Sequence, residues 1–122
     1  MTKRARILVV DDSPTDLSLI SAPLVAGGFE VITAQDGEEA IAKAAAERPD
    51  VILLDVVLPK QNGFQVCRTL KKSAEVGHIP VIMVTGKSQP SDRFWGMRQG
   101  ADEYVTKPFL PETLVSSIQR FL

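Results

Sequence analysis

The chain has 122 residues, 44% of them hydrophobic, and a single cysteine, which fits one domain with one substantial core and excludes an internal disulfide or a thiolate metal cluster. With 14 basic and 15 acidic side chains the formal net charge is -1, so nothing draws the chain as a whole to nucleic acid or to an anionic membrane, and partners must be recognised locally. No apolar run approaches the ~20 residues of a membrane span, and Met1-Thr2-Lys3-Arg4 leads into a short strand rather than a signal-peptide core, so no membrane insertion and a reducing, cytoplasmic setting are expected.

Ile7 to Val10 is a short apolar run that ends in two acids, Asp11 and Asp12. In Ser13-Pro14-Thr15-Asp16, Ser13 suits an N-cap, Pro14 the first helical position and Asp16 the first turn, where the helix dipole favours it. Leu17, Ile20 and Leu24 then make an inward stripe, Gly27-Gly28 stop the helix, and Pro23 inside it predicts a kink or a loosened turn. Phe29 to Ala34 reads as the second strand. Asp36-Gly37-Glu38-Glu39 opens an alanine-rich helix to about Glu47, with Ala40, Ile41, Ala44 and Ala45 inward, and Pro49 ends it.

Val51 to Leu54 is too short for an ordinary helix and reads as a strand buried on both faces, delivering Asp55 at its end. Val56, Val57, Leu58 and Pro59 follow, and a helix from about Asn62-Gly63 to Lys72 should bury Phe64, Cys67 and Leu70. Ala74 to His78 is a polar connector. His78 reads as exposed and is not a metal-ligand candidate, because no second histidine or cysteine pairs with it. The fourth strand, Val81 to Val84, exits into Thr85-Gly86. Ser88 to Asp92 starts a helix that Gly100 closes; a helix cannot easily bury both Phe94 and Trp95, so one should face out. Asp102 to Val105 is the last strand, leading to Thr106-Lys107-Pro108, and the final helix from Pro111 shows Leu114, Val115, Ile118 and Phe121 at helical spacing. Five strands alternating with five helices imply βαβ units and an α/β doubly wound parallel sheet with right-handed crossovers.

Strand exits in such a sheet gather at one edge, where ligands bind. That edge collects Asp11, Asp12, Asp55, Thr85 and Lys107. Crowded carboxylates raise each other's pKa unless a cation is present, and three of them against one lysine leave two negative charges, which a hard divalent ion such as Mg2+ cancels. A carboxylate can act as a nucleophile toward phosphorus, with Lys107 and the Thr85 hydroxyl holding the new oxygens. Taken singly, Asp11-Asp12 reads as a solvated turn, Asp55 as a cap, Thr85 as a turn residue, Lys107 as a surface charge and Tyr104 as a half-buried strand aromatic. Only their joint placement favours a site.

The pair Asp11-Asp12, the Asp55 strand with Pro59 and Gly63, Thr85-Gly86 and Lys107-Pro108 resemble, over essentially the whole chain, the receiver domain of bacterial two-component response regulators. The resemblance implies a flavodoxin-like (βα)5 sandwich with strand order 2-1-3-4-5 and a phosphoacceptor at Asp55, charged from a phosphohistidine on a sensor kinase or phosphotransfer domain. It implies Mg2+ held by Asp12, Asp55 and the main-chain carbonyl of Val57, with Asp11 positioning the ion mostly through water, and a cis Lys107-Pro108 bond. Thr85 and Lys107 would contact the phosphoryl group, and Tyr104 would turn from a more exposed rotamer inward on activation. A downstream protein would read the face made by the helix from about Gln89, the Tyr104 strand and the final helix, with Phe94 or Trp95 as anchor. Ser91 to Ala101 further resembles the small regulators of type IV pilus twitching motility and chemotaxis-like systems. The expectation is a single receiver domain over residues 1–122 with no output domain, monomeric or dimeric.

Three other classes compete. An aspartyl-phosphate phosphatase with Mg2+ would need a second acid two residues after its nucleophile, and position 57 is valine. A nucleotide binder would need a glycine-rich loop, not acids, after the first strand. A binding module that works unphosphorylated is opposed only by the completeness of the site.

Overall fold

A computed structural model of the chain describes residues 4–122; the lead-in over Met1-Thr2-Lys3 lies outside the described residues. Five strands, β1 (Arg6–Val10), β2 (Glu30–Ala34), β3 (Val51–Leu54), β4 (Val81–Thr85) and β5 (Glu103–Thr106), alternate with five helices, α1 (Pro14–Ala26), α2 (Gly37–Glu47), α3 (Gly63–Lys72), α4 (Pro90–Arg98) and α5 (Pro111–Gln119). All neighbouring strands pair parallel in the order β2-β1-β3-β4-β5, as expected.

The apolar strand runs are continuous because the sheet is covered on both faces. Successive side chains alternate between two cores. Leu8, Val10, Ile52, Leu54, Val81 and Met83 face the layer of Ala40, Ala44, Val66, Cys67 and Leu70. Ile7, Val9, Val51, Leu53, Ile82 and Val84 face Leu17, Ile20, Leu24, Leu114 and Ile118 from α1 and α5. A one-residue slip in any strand would exchange these faces, so the register is tightly specified.

Local chemistry starts the helices where the spacing predicts. The Ser13 hydroxyl accepts from the Asp16 amide at 3.2 Å, the Asp36 carboxylate accepts from the Glu39 amide at 2.8 Å, and Asn62 and Gln65 form a reciprocal capping pair. Gly28, with φ +90°, follows α1, and Gly100, with φ +103°, follows α4, left-handed positions that glycine takes without strain.

α1 spans Pro14–Ala26 with Pro23 inside it, so the Leu19 carbonyl lacks the N–H that a residue other than proline would bring to it. Several other local expectations need correcting. Ala45 faces solvent, since the narrow inward stripe of α2 is filled by Ala40 and Ala44 with Ile41 partly buried. Phe64 is only partly buried, and Val66 takes the core position. The connector after α3 is not wholly polar: Val76 is buried beneath a turn in which Gly77 donates to the Ser73 carbonyl at 2.8 Å. Phe94 and Trp95 are both exposed, because α4 turns Gly96 to the core instead.

At the sheet end away from Asp55, Lys71 of α3 donates to the Ile79 carbonyl at 3.0 Å and to Asp102 at 2.7 Å, and Asp102 accepts the Val81 amide at 2.8 Å. One ammonium and one carboxylate thus tie α3 to the starts of β4 and β5.

Candidate functional site

The carboxyl ends of β1, β3, β4 and β5 deliver their exit residues to one edge. Asp11 is held there by the sheet itself, its amide donating to the Ala34 carbonyl at 3.0 Å; its carboxylate accepts the Ser13 amide at 3.0 Å and is 1% exposed. Asp55 continues β3, its amide donating to the Val10 carbonyl, and its carboxylate accepts the Val57 amide at 3.1 Å. Close packing fixes this turn from below, since the Gly63 amide donates to the Val56 carbonyl at 2.7 Å and a Cβ at Gly63 would stand 2.0 Å from the Asp55 carbonyl oxygen. Thr85 is fully buried, and its hydroxyl accepts the Lys87 amide at 3.3 Å.

Lys107 enters from the far strand. Its amide donates to the Thr85 carbonyl at 2.8 Å, extending the β4–β5 pairing by one residue, and the next bond, to Pro108, is cis as the resemblance implies. The ammonium donates to Asp11 at 2.6 Å, Asp16 at 2.8 Å and Asp55 at 3.0 Å.

Burial works against the charge on Asp55, but the Thr85 hydroxyl, the Lys107 ammonium and the Val57 amide outweigh it and hold its carboxyl below the usual carboxylate range. Asp11 goes the other way. Burial, with the Asp55 charge adding to it, lifts its carboxyl above that range despite the contacts from Lys107 and Ser13. For Lys107, burial disfavours the charge, and the three carboxylates more than restore it, raising its pKa.

Oxygen atoms of Asp11, Asp16 and Asp55 all lie within 4.8 Å of one another. The group could hold a metal ion: three hard carboxylates, with no sulfur or imidazole among them, suit an oxygen-seeking divalent cation. Asp16 is the member that the sequence reading missed as part of the site. In sequence it is one more acid in a first helical turn, and the only signal was its place one turn after Asp12. Asp12 itself is exposed and stands outside this cluster, because the buried β1 exit places Asp11 inward and the next side chain outward. Val57 is 55% exposed, beside Asp55 through its amide.

Tyr104 departs from the expected exposed resting rotamer. It is 4% exposed, its ring fills the space left by Gly96, where a Cβ would stand 3.0 Å away, and its hydroxyl donates to the Lys87 carbonyl at 2.6 Å. Phe94 and Trp95 lie outside the acid site, ring centroids 6.2 Å apart in an edge-on pair, with the Arg98 guanidinium over Phe94 at 5.7 Å.

The sequence matches the response regulator receiver domain family over residues 7–119. The chain belongs to that family. This receiver is 50% identical to Protein PilH of Pseudomonas aeruginosa over 118 residues, covering 97% of this chain and 98% of PilH. It spans about half the length, or less, of other curated relatives that it matches. Among solved structures it resembles the chemotaxis response regulator CheY4 of Vibrio cholerae, with 38% identity, a TM-score of 0.90 and coverage of 98% of this chain and 100% of that one. It also resembles the receiver domain of a Pseudomonas aeruginosa sensor histidine kinase solved with a magnesium ion coordinated in the active-site cleft, at 30% identity, a TM-score of 0.90 and 98% coverage of both chains. Receiver domains are signalling modules, and among the described residues no helix is long and apolar enough to cross a membrane.

Proposed function

We propose that Asp55 accepts a phosphoryl group from the phosphohistidine of a sensor histidine kinase or phosphotransfer domain, and that the modified chain signals to a downstream protein through the face of α4, β5 and α5. The observation that carries this reading is the placement of Asp55: 7% exposed at the end of β3, with the Lys107 ammonium at 3.0 Å and the Val57 amide at 3.1 Å from its carboxylate, contacts that favour the ionised form a nucleophilic carboxylate needs. A carboxylate oxygen forms the new bond to phosphorus as the phosphorus–nitrogen bond breaks, and the imidazole leaves with the electron pair. Thr85 and Lys107 hold the phosphoryl oxygens.

The carboxylates gathered at this edge suit Mg2+; as the receiver resemblance implies, it would be held by Asp55, the Val57 carbonyl and Asp12, which would have to turn in from the exposed position it takes here, with Asp11 placing it through water. When bound, the ion supplies neutralisation of the charge that develops on the transferred group. Position 57 carries no acid that could activate water, so the phosphoryl group is removed slowly rather than turned over. The added charge, about -1.5 to -2, pulls the Thr85 hydroxyl and the loop from Gly86 to Ser88 toward Asp55. Because Tyr104 is bonded to Lys87 in that loop, the pull is transmitted to α4, with Phe94 and Trp95 as exposed anchors for a partner. The likeness to PilH and the resemblance of Ser91 to Ala101 to type IV pilus regulators support a cytoplasmic role in pilus motility or a chemotaxis-like pathway.

Incubation with acetyl phosphate, with and without Mg2+, followed by intact-mass measurement tests the reading. A gain of one phosphoryl group that requires Mg2+ and is absent in Asp55→Asn is expected. Steady phosphate release over many turnovers would point to a phosphatase, and no gain at all to a module that works unphosphorylated.

A further inference from the structure

Lys107 must serve several partners in turn, and the structure shows it on three carboxylates at once. Two of them, Asp11 and Asp55, are deeply buried, and the third, Asp16, has a side chain 36% exposed. A divalent cation and an ammonium repel each other, so a metal drawn to the buried acids displaces Lys107 from them. With its side chain 16% exposed, Lys107 would then be a poorly hydrated, unpaired charge. Asp16 removes that penalty. It sits in the first turn of α1, its amide fixed by the Ser13 hydroxyl, and its partial exposure keeps it hydrated without the metal.

We propose that Asp16 is a positioning residue for Lys107, keeping the ammonium paired when the buried acids turn to the metal and yielding it to the phosphoryl oxygens afterwards. The inference rests on the receiver reading of the site. It gives Asp16 opposite effects on two ligands. Toward Mg2+ it helps, because it takes the competing ammonium away. Toward the phosphoryl group it hinders, because it competes for Lys107.

The test is calorimetric titration of the whole protein with Mg2+ alone, then with beryllofluoride, a phosphoryl mimic, at saturating Mg2+. In Asp16→Asn, Mg2+ affinity should fall and beryllofluoride affinity should rise, each on the order of threefold to tenfold, the range for losing one charge-assisted contact that is about a third exposed. Asp16→Glu should restore wild-type behaviour at least in part, and in a Lys107→Ala background Asp16→Asn should shift beryllofluoride affinity by under about twofold. Weakening of both ligands together would assign Asp16 a merely structural role, and loss of all Mg2+ binding, as in Asp55→Ala, would make it a metal ligand; either overturns the proposal. Wild-type protein that binds neither ligand would overturn the receiver reading itself, and this inference with it.

Discussion

The Tyr104 hydroxyl donates to the Lys87 carbonyl at 2.6 Å while the ring rests where a Cβ on Gly96 would stand 3.0 Å from it. The loop after Thr85, the strand β5 and the helix α4 therefore meet in one side chain. Gly96→Ala places a methyl group against the ring and should turn Tyr104 outward, at a cost of about 1–3 kcal/mol for overpacking. Nitration by tetranitromethane reads this directly, as the chain has one tyrosine: the variant should react faster than wild type.

The same tyrosine predicts alkaline behaviour. Burial, with help from the Asp92 and Asp55 charges, pushes the Tyr104 hydroxyl up to about 12, against ~10 for a free side chain. A group that holds its proton more tightly when folded stabilises the fold fully below the unfolded pKa and loses that contribution as pH rises toward the folded one. Stability should fall between about pH 10 and 12, and less steeply in Tyr104→Phe. Absorbance near 295 nm, followed during the titration, should show a phenol midpoint above that of free tyrosine.

Removing the shared cation should cost more than any exposed ion pair does. Lys107→Ala leaves the buried Asp11 and Asp55 facing each other without a counter-charge, and a loss of about 3 kcal/mol is expected at neutral pH. Millimolar Mg2+ should raise the melting temperature of this variant more than that of wild type, because no ammonium competes for the site. Equal shifts would show that Lys107 and the metal do not share these acids.

Gly63→Ala tests the packing under the site. The added Cβ meets backbone, 2.0 Å from the Asp55 carbonyl oxygen, and no rotamer can relieve it. The start of α3 must move away from the turn that carries Asp55, so a loss of about 3 kcal/mol is expected, together with slower labelling by acetyl phosphate. Chemical denaturation and intact-mass time courses measure the two effects separately.

Much of the fold was legible because β1, β3 and β4 are unbroken apolar runs, which only a sheet covered on both faces explains. The site was legible for a related reason: each run ends on a residue whose chemistry does not belong to a core, such as Asp11, Asp55 or Thr85. What escaped notice depends on side-chain direction. Asp16 looks like any acid at a helix start until Lys107 arrives from 91 residues away. Phe94 and Trp95 posed the question of which one points out, and Gly96 answered it by taking the inward place for both. The inward rotamer of Tyr104 follows from that same glycine and from a main-chain carbonyl, and neither leaves a mark in a pattern of apolar and polar letters.

The Lys71–Asp102 tie gives α4 unequal ends. Its C-terminal end is pressed against Lys71, where a Cβ on Gly100 would stand 2.9 Å from the lysine side chain, and that lysine is fastened to Ile79 and Asp102. Its first turn, by contrast, follows a loop bonded to β5 through the Tyr104 hydroxyl. The start of α4 is held to β5 by that bond and by the Arg93 guanidinium, which donates to the Tyr104 carbonyl at 3.3 Å. If α4 responds to a pull at Thr85, Pro90 and the first turn should move most and Arg98 least.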